Sequence, residues 1–509
     1  MTSEIDRYRR AAKRLKKAHA AGEAEALARA AAVLSPDRLA PLRHVDALHV
    51  IAREQGAESW PRLKLRNELH AATPEQRLRR LREALENGFH WAVREVLAVA
   101  PDLARAVPGV AAALYDLPYW QAALAADPEA ATREIEGAPP LCHLAFSRWV
   151  HGDGSAENML ALAELLLAHG ADVNAGKPEP GGSGHTLSPL YGAIGHGNNM
   201  ALGRWLLDHG ANPNDGESLY HATELGHTEG LAMLLEAGAK NEGTNALLRA
   251  LDFEDIAPLR MLLAAGADPN EGVAAHPSGE PPMKASALHQ AARRMRSGAV
   301  ARLLIEAGAS LTAPWDGRSP YATARVFGNA EVAQVIAEAG GETALSGPDA
   351  IIAEAAEGRV PAGRLVPEEL SPETRTMLRG IIHLPGALPR VKALVAAGME
   401  WDRPDDMGVP PVQIAGWEGL SEIMTFLLSL GPNLEHKNHY GGDLLGTTLH
   451  GAANAPDRAV RDHLGCVRLA LEAGLPLYRG YLLFTGSEEI AGVLADYAEA
   501  HPERVMDNL

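Results

Sequence analysis

Ser286-Ala-Leu-His-Gln-Ala-Ala292 and, a few residues on, Val300-Ala-Arg-Leu-Leu-Ile-Glu-Ala-Gly-Ala309 read together as one unit. The unit is a short helix, a turn, a longer amphipathic helix, and a glycine that stops the second helix. Variants of it recur along most of the chain. Its opening half returns as Thr447-Thr-Leu-His-Gly-Ala-Ala453 and Ser188-Pro-Leu-Tyr-Gly-Ala193. Its closing half returns as Leu165-Leu-Leu-Ala-His-Gly-Ala-Asp-Val-Asn174, Leu206-Leu-Asp-His-Gly-Ala-Asn-Pro-Asn214 and Leu262-Leu-Ala-Ala-Gly-Ala-Asp-Pro-Asn270.

The glycines that end second helices set the period. They are Gly170, Gly210, Gly238, Gly266, Gly308, Gly340, Gly398, Gly431 and Gly474. Their spacings run from 28 to 43 with one of 58, which must hide a unit. A first helix from about Thr374 to His383 followed by Pro389–Ala397 supplies it, and the mean step is then about 34 residues. These motifs resemble the ankyrin repeat, whose period is ~33. A tetratricopeptide or heptad array is disfavoured by the Gly-Ala-Asp-Val-Asn ending, which belongs to a chain leaving a helix for a turn. The expected fold is all-α: an ankyrin-repeat solenoid of about eleven or twelve helix-turn-helix units, some with β-hairpin fingers, plus an N-terminal helical module.

Departures from the period carry information. Steps of 28 delete the projecting hairpin turn. Longer steps add residues at Gly176–Thr186 and Gly272–Lys284, both in the hairpin, and at Asn454–Asp462, between two helices. Insertions in repeat proteins lie on one face, often the binding one. The Gly181-Gly-Ser-Gly184 run lacks Gly-Lys-Ser/Thr and follows no strand, so it reads as a flexible finger and not as a phosphate loop.

Four segments are expected. Residues 1–70 form a helical module, residues 71–137 degenerate N-terminal repeats, residues 138–345 repeats with long hairpin insertions, and residues 346–509 further ankyrin-like repeats with a C-terminal cap at Tyr481–Ala500. Val45–Lys64 resembles the small helical module that precedes ankyrin arrays in many bacterial proteins, with Trp60 as a core anchor. In the second segment, Ala92–Ala104 and Trp120–Ala130 each give a helix closed by a proline. Terminal repeats are expected to be atypical.

Bulk properties bound the function. The net charge of −18 excludes a general nucleic-acid or anionic-membrane binder, with a local exception in the basic residues between Arg7 and Lys17. The two cysteines, Cys142 and Cys466, fall in distant repeats, which argues against a disulfide and for a reducing compartment. No apolar run suits a signal peptide or a membrane span, so a cytoplasmic protein is expected. No Gly-x-Ser-x-Gly, His-Glu-x-x-His or dinucleotide fingerprint occurs. His436-Lys-Asn-His439 with Asp443 offers imidazoles without the four ligands of a structural zinc, and reads as a solvated hairpin. The acidic Pro367–Glu373 reads as loop and helix start. No catalytic residue, metal or cofactor is assigned.

The resemblance also implies roles. His143, His289 and His450 align with the family's Thr-Pro-Leu-His histidine, which hydrogen-bonds backbone between units. Tyr191, Tyr220, Ala322 and Gln413 replace it elsewhere. Family units present variable residues just before the inter-helix glycine and on the hairpin, along a concave face. Aligned so, the candidate partner-binding residues are His196, Glu224, Asp252, Phe253, Arg293, Arg294, Phe327, Trp417, Glu418 and Asn454. Exposed aromatics and arginines are the types that make hot spots. The expected function is a non-enzymatic scaffold binding another protein in that groove. The alternative is an enzyme or a small-molecule or metal binder, with its site in the concave surface or under the fingers.

Overall fold

A computed structural model describes residues 4–179, 184–253, 255–275, 283–345, 347–483 and 486–507. Among them the chain is a helical repeat solenoid whose only sheets are two-stranded. It divides into two compact units, residues 1–284 and 285–509.

All nine glycines read as helix stops carry positive φ, from 76° at Gly431 to 105° at Gly398. At Gly238, Gly266 and Gly308 a Cβ would meet nothing within 4 Å, so the backbone turn and not lack of room demands glycine. Gly398 differs, because a Cβ there would lie 2.9 Å from the Leu365 carbonyl oxygen.

The first unit begins with helices Glu4–Ala20, Ala24–Ala31, His44–Glu54 and Trp60–Ala71, which share one apolar cluster. Ala12 and Leu15 of the basic helix are buried in it, and so is Trp60. Then come Pro74–Glu86 and His90–Val99, and after them the stack proper. First helices Pro108–Ala113, Pro140–Ala145, Pro189–Tyr191 with its continuation to His196, Ser218–Ala222 and Ala246–Ala250 pack each on the next. Second helices Leu117–Ala126, Ala156–Ala168, Met200–Asp208 and Glu229–Glu236 do likewise. The finger Gly176–Thr186 is a hairpin pairing Lys177 with Leu187 and Pro178 with Thr186. Its Gly181-Gly-Ser run, and 276–282 of the second finger, lie outside the described residues.

The second unit stacks Ala287–Arg293, Pro320–Phe327 and Gly347–Ala356 in sequence, then Pro411–Trp417 on Leu444–Asn454. Gly298–Glu306 packs on Ala330–Glu338, and Ala387–Ala397 leads through Ser421–Ser429 and His463–Glu472 to Glu488–Ala500. The step of 58 is built differently from the expectation. Its first helix is Gly347–Ala356, while Thr374–His383 is broken into Pro372–Arg375 and Leu378–Ile381. The expected closing helix pair is a short 3-10 turn, Arg479–Leu483, and one long helix.

The bridging role implied for the histidines belongs, in three units, to the third residue of the first helix. His289 Nε2 meets the Arg318 carbonyl at 3.3 Å, in the next repeat. Gln413 Nε2 donates to the His436 carbonyl at 3.1 Å, and the Cys142 thiol to the Ala175 carbonyl at 3.2 Å. His143 is therefore one place past the position, since Pro139 caps the helix. It bonds Ile135 only eight residues back, at 2.9 Å. His450 is a full turn past it, because Asp443 caps Leu444–Asn454 early, and its ring is exposed.

Candidate functional site

The ten residues singled out in the sequence lie at or just past the ends of first helices, in both compact units. In the first unit Glu224, Asp252 and Phe253 converge on an arginine that the alignment passed over. Arg249 Nε donates to Glu224 at 2.7 Å and its Nη1 to Asp252 at 2.7 Å. Its guanidinium lies 5.2 Å from the Phe253 ring centroid and 5.5 Å from that of Tyr220. His221 continues the chain of charges, with contacts of 3.2 Å to both Glu224 and Glu217. Glu217 in turn meets His185 of the finger at 2.7 Å. Burial alone would lower the His221 pKa, but its two carboxylate partners outweigh that and lift it to about 9. The signal for this network was present in the sequence. His221 and Arg249 each stand three residues before an acidic row member, the spacing that puts two side chains side by side on a helix.

His196 is occupied within the chain. Its Nε2 meets the Glu86 carbonyl at 2.9 Å, and its ring packs 5.4 Å from Phe146. Burial and the nearby Arg148 both hold its pKa below the ordinary value, so at neutral pH the ring is uncharged and donates as imidazole. The alignment foresaw no such occupant, because the contact spans 110 residues.

In the second unit the row splits. Phe327 is not an exposed anchor: it is 8% exposed and belongs to the core with Val326, Ile352 and Leu378. The cause is the irregular step after it, which packs Gly380 so closely that a Cβ there would lie 3.3 Å from the Phe327 ring edge. Arg293 lies over Trp315 at 5.5 Å. Trp417, at the end of its first helix, is only partly covered and packs, tilted by 37° with ring centroids 5.0 Å apart, against the exposed His450. Asn454 is exposed and donates to the His450 carbonyl at 2.9 Å. Trp417, His450 and Asn454 thus form one surface. Beside it, burial raises the Glu418 pKa, with Arg461 opposing. His383 is held low first by burial and then by Arg294, Arg293 and Arg461.

Among the described residues, no group of three or more His, Cys, Asp or Glu side chains is placed to hold a metal ion. His436 Nε2 instead meets the Gly408 carbonyl at 2.6 Å. Both cysteines are buried and free. A trough of about 350 Å³ is lined by Leu65, Glu68, Leu69, Gln76, Arg79 and Arg80. No described helix is long and apolar enough to cross a membrane.

A family model for ankyrin repeats, in three copies, matches residues 153–245. No curated protein matches the chain. Among solved structures, an ankyrin repeat domain from Acinetobacter baumannii is 23% identical, covering 40% of this chain and 98% of that one, with a TM-score of 0.32. Over residues 153–245 the stacked helix pairs with their glycine stops are therefore ankyrin repeats, and helix pairs with the same glycine stops follow them along the chain.

Proposed function

We propose that the chain is a non-enzymatic scaffold that holds another protein against the ends of its first helices and its fingers. Ankyrin repeats generally serve protein–protein interaction, and the observation that carries the reading here is the Trp417 surface. A partly covered indole packed against an exposed imidazole presents apolar area that is already ordered, so little conformational entropy is lost when a partner covers it. Tryptophan is also the residue type most enriched in hot spots. Asn454 at its rim adds hydrogen-bonding groups, and Arg293 and Arg294 contribute positive charge within the same compact unit. Glu224, Asp252 and Phe253 offer a second, more acidic surface in the first unit. The free cysteines fit a reducing cytoplasmic setting.

Trp417→Ala tests this. Captured partners are expected to fall at least about tenfold against wild type, in line with a hot-spot residue, while far-ultraviolet dichroism is unchanged. Equal capture by both proteins would count against the reading.

A further inference from the structure

Helix Pro74–Glu86 and the helix after it, His90–Val99, do not stack like the repeats that follow. The end of the first and the turn between them reach instead across the fingers and first-helix ends of residues 136–196. The last carbonyls of an α-helix have no partner of their own and carry partial negative charge. Here the Leu85 carbonyl accepts from the Arg148 backbone N–H at 2.9 Å, and the Glu86 carbonyl meets His196 Nε2 at 2.9 Å. The Glu86 carboxylate pairs with Lys177 of the finger at 3.1 Å. Arg82 meets Glu136 at 2.5 Å, and Arg94 grips Asp153 through two bonds of 2.6 and 2.8 Å. Packing is equally close. A Cβ at Gly88 would lie 3.4 Å from Arg148 Cβ, and one at Gly152 would overlap the His90 ring at 2.6 Å. His90 also packs on Trp149, with ring centroids 5.8 Å apart.

We propose that the face formed by Arg148, Lys177 and His196 is a binding site for an acidic helix C-terminus, filled in the resting chain by its own residues 82–90. An external partner would bring the same chemistry: free terminal carbonyls, with a carboxylate in the last turn to meet Lys177. It reaches the face only by displacing the internal helix end, which its covalent place in the same chain holds at high effective concentration. This rests on the reading that finger and first-helix ends form the binding face.

The test uses the full chain and a fluorescent synthetic peptide of residues 74–90. Arg82→Ala with Glu86→Ala loosens the internal helix end. Gly88→Cys with Arg148→Cys locks it: the Cβ atoms would lie 3.4 Å apart, at the near edge of disulfide reach, the Arg148 backbone donor is kept, and the strain of a side chain at the positive φ of residue 88 is common to the oxidised and reduced forms being compared. The peptide is expected to bind the loosened chain at least about tenfold more tightly than the oxidised lock, with reduction restoring binding to the lock. A peptide carrying Glu86→Lys should bind at least about tenfold more weakly than the native one. Amide exchange over 74–99 should quicken in the loosened chain and stay slow over 156–168. Equal peptide binding to locked and reduced protein, or none to the loosened chain, overturns the proposal. Should the loosened variant fail to fold, the oxidised and reduced lock give the same decision. The outcome is independent of Trp417: altered capture by Trp417→Ala with no peptide binding would leave the scaffold reading standing and remove this one.

Discussion

At the residue scale the informative position is the third residue of a first helix. His289 is fully buried there, joining the Ser286 cap of its own helix to the Arg318 carbonyl of the next repeat. Burial pushes its pKa down to about 4. The folded ring therefore stays neutral while an unfolded one protonates near 6.5. Its contribution to stability is complete above about pH 6.5 and is lost as pH falls toward 4, at up to about 1.4 kcal/mol per pH unit. Gln413 does the same bridging with a side chain that does not titrate. His289→Gln should keep the bridge and remove one proton from the acid transition. Urea midpoints from pH 6.5 to 4 should fall less steeply in the variant than in wild type, and parallel slopes would refute this. His143, read by alignment as an equivalent residue, shows the limit of reading by motif. Pro139-Pro140 moves the cap by one place and hands the bridge to Cys142.

At the scale of helices and turns, the glycine stops were fully legible, because positive φ is a local demand that one residue type meets. The proline-closed helices were legible as well: within Ala92–Ala104 and Trp120–Ala130 the α-helices end at Val99 and Ala126, and Pro101 and Pro128 each open a 3-10 turn. The step of 58 was legible as a gap and not as a structure. Counting from glycine to glycine assumes one geometry per unit, and Gly347–Ala356 ends on Gly358, only 18 residues past Gly340. Phe327 was misplaced for that reason. Its side chain packs in the core against this irregular unit, so Phe327→Ala should destabilise by about 3–5 kcal/mol, as for other buried aromatics. A loss below about 1 kcal/mol in urea unfolding would return Phe327 to the surface. The Arg249 network was hidden for a different reason. The i,i+3 spacings were visible, but which units bring their helix ends together is set by stacking.

At the scale of the molecule, each repeat leans on its neighbours, and energy is spread in nearest-neighbour increments. Leu427 is fully buried in the second unit, on helix Ser421–Ser429. Leu427→Ala should cost about 2–5 kcal/mol and quicken amide exchange through Pro411–Glu472, leaving Pro140–Ala250 as protected as before. Uniform loss of protection along the chain would contradict a repeat stack. Contacts that span many units were the part no local pattern announced, and Glu86 against His196 is the clearest of them. A thiol, an imidazole and a carboxamide each reach the next repeat's carbonyl from the same place, so the clasp asks for a donor of suitable reach and not for a particular letter. A gene under that rule is free to respell its repeats one by one while the spatial period holds, and kinship then outlives the likeness by which it would be noticed.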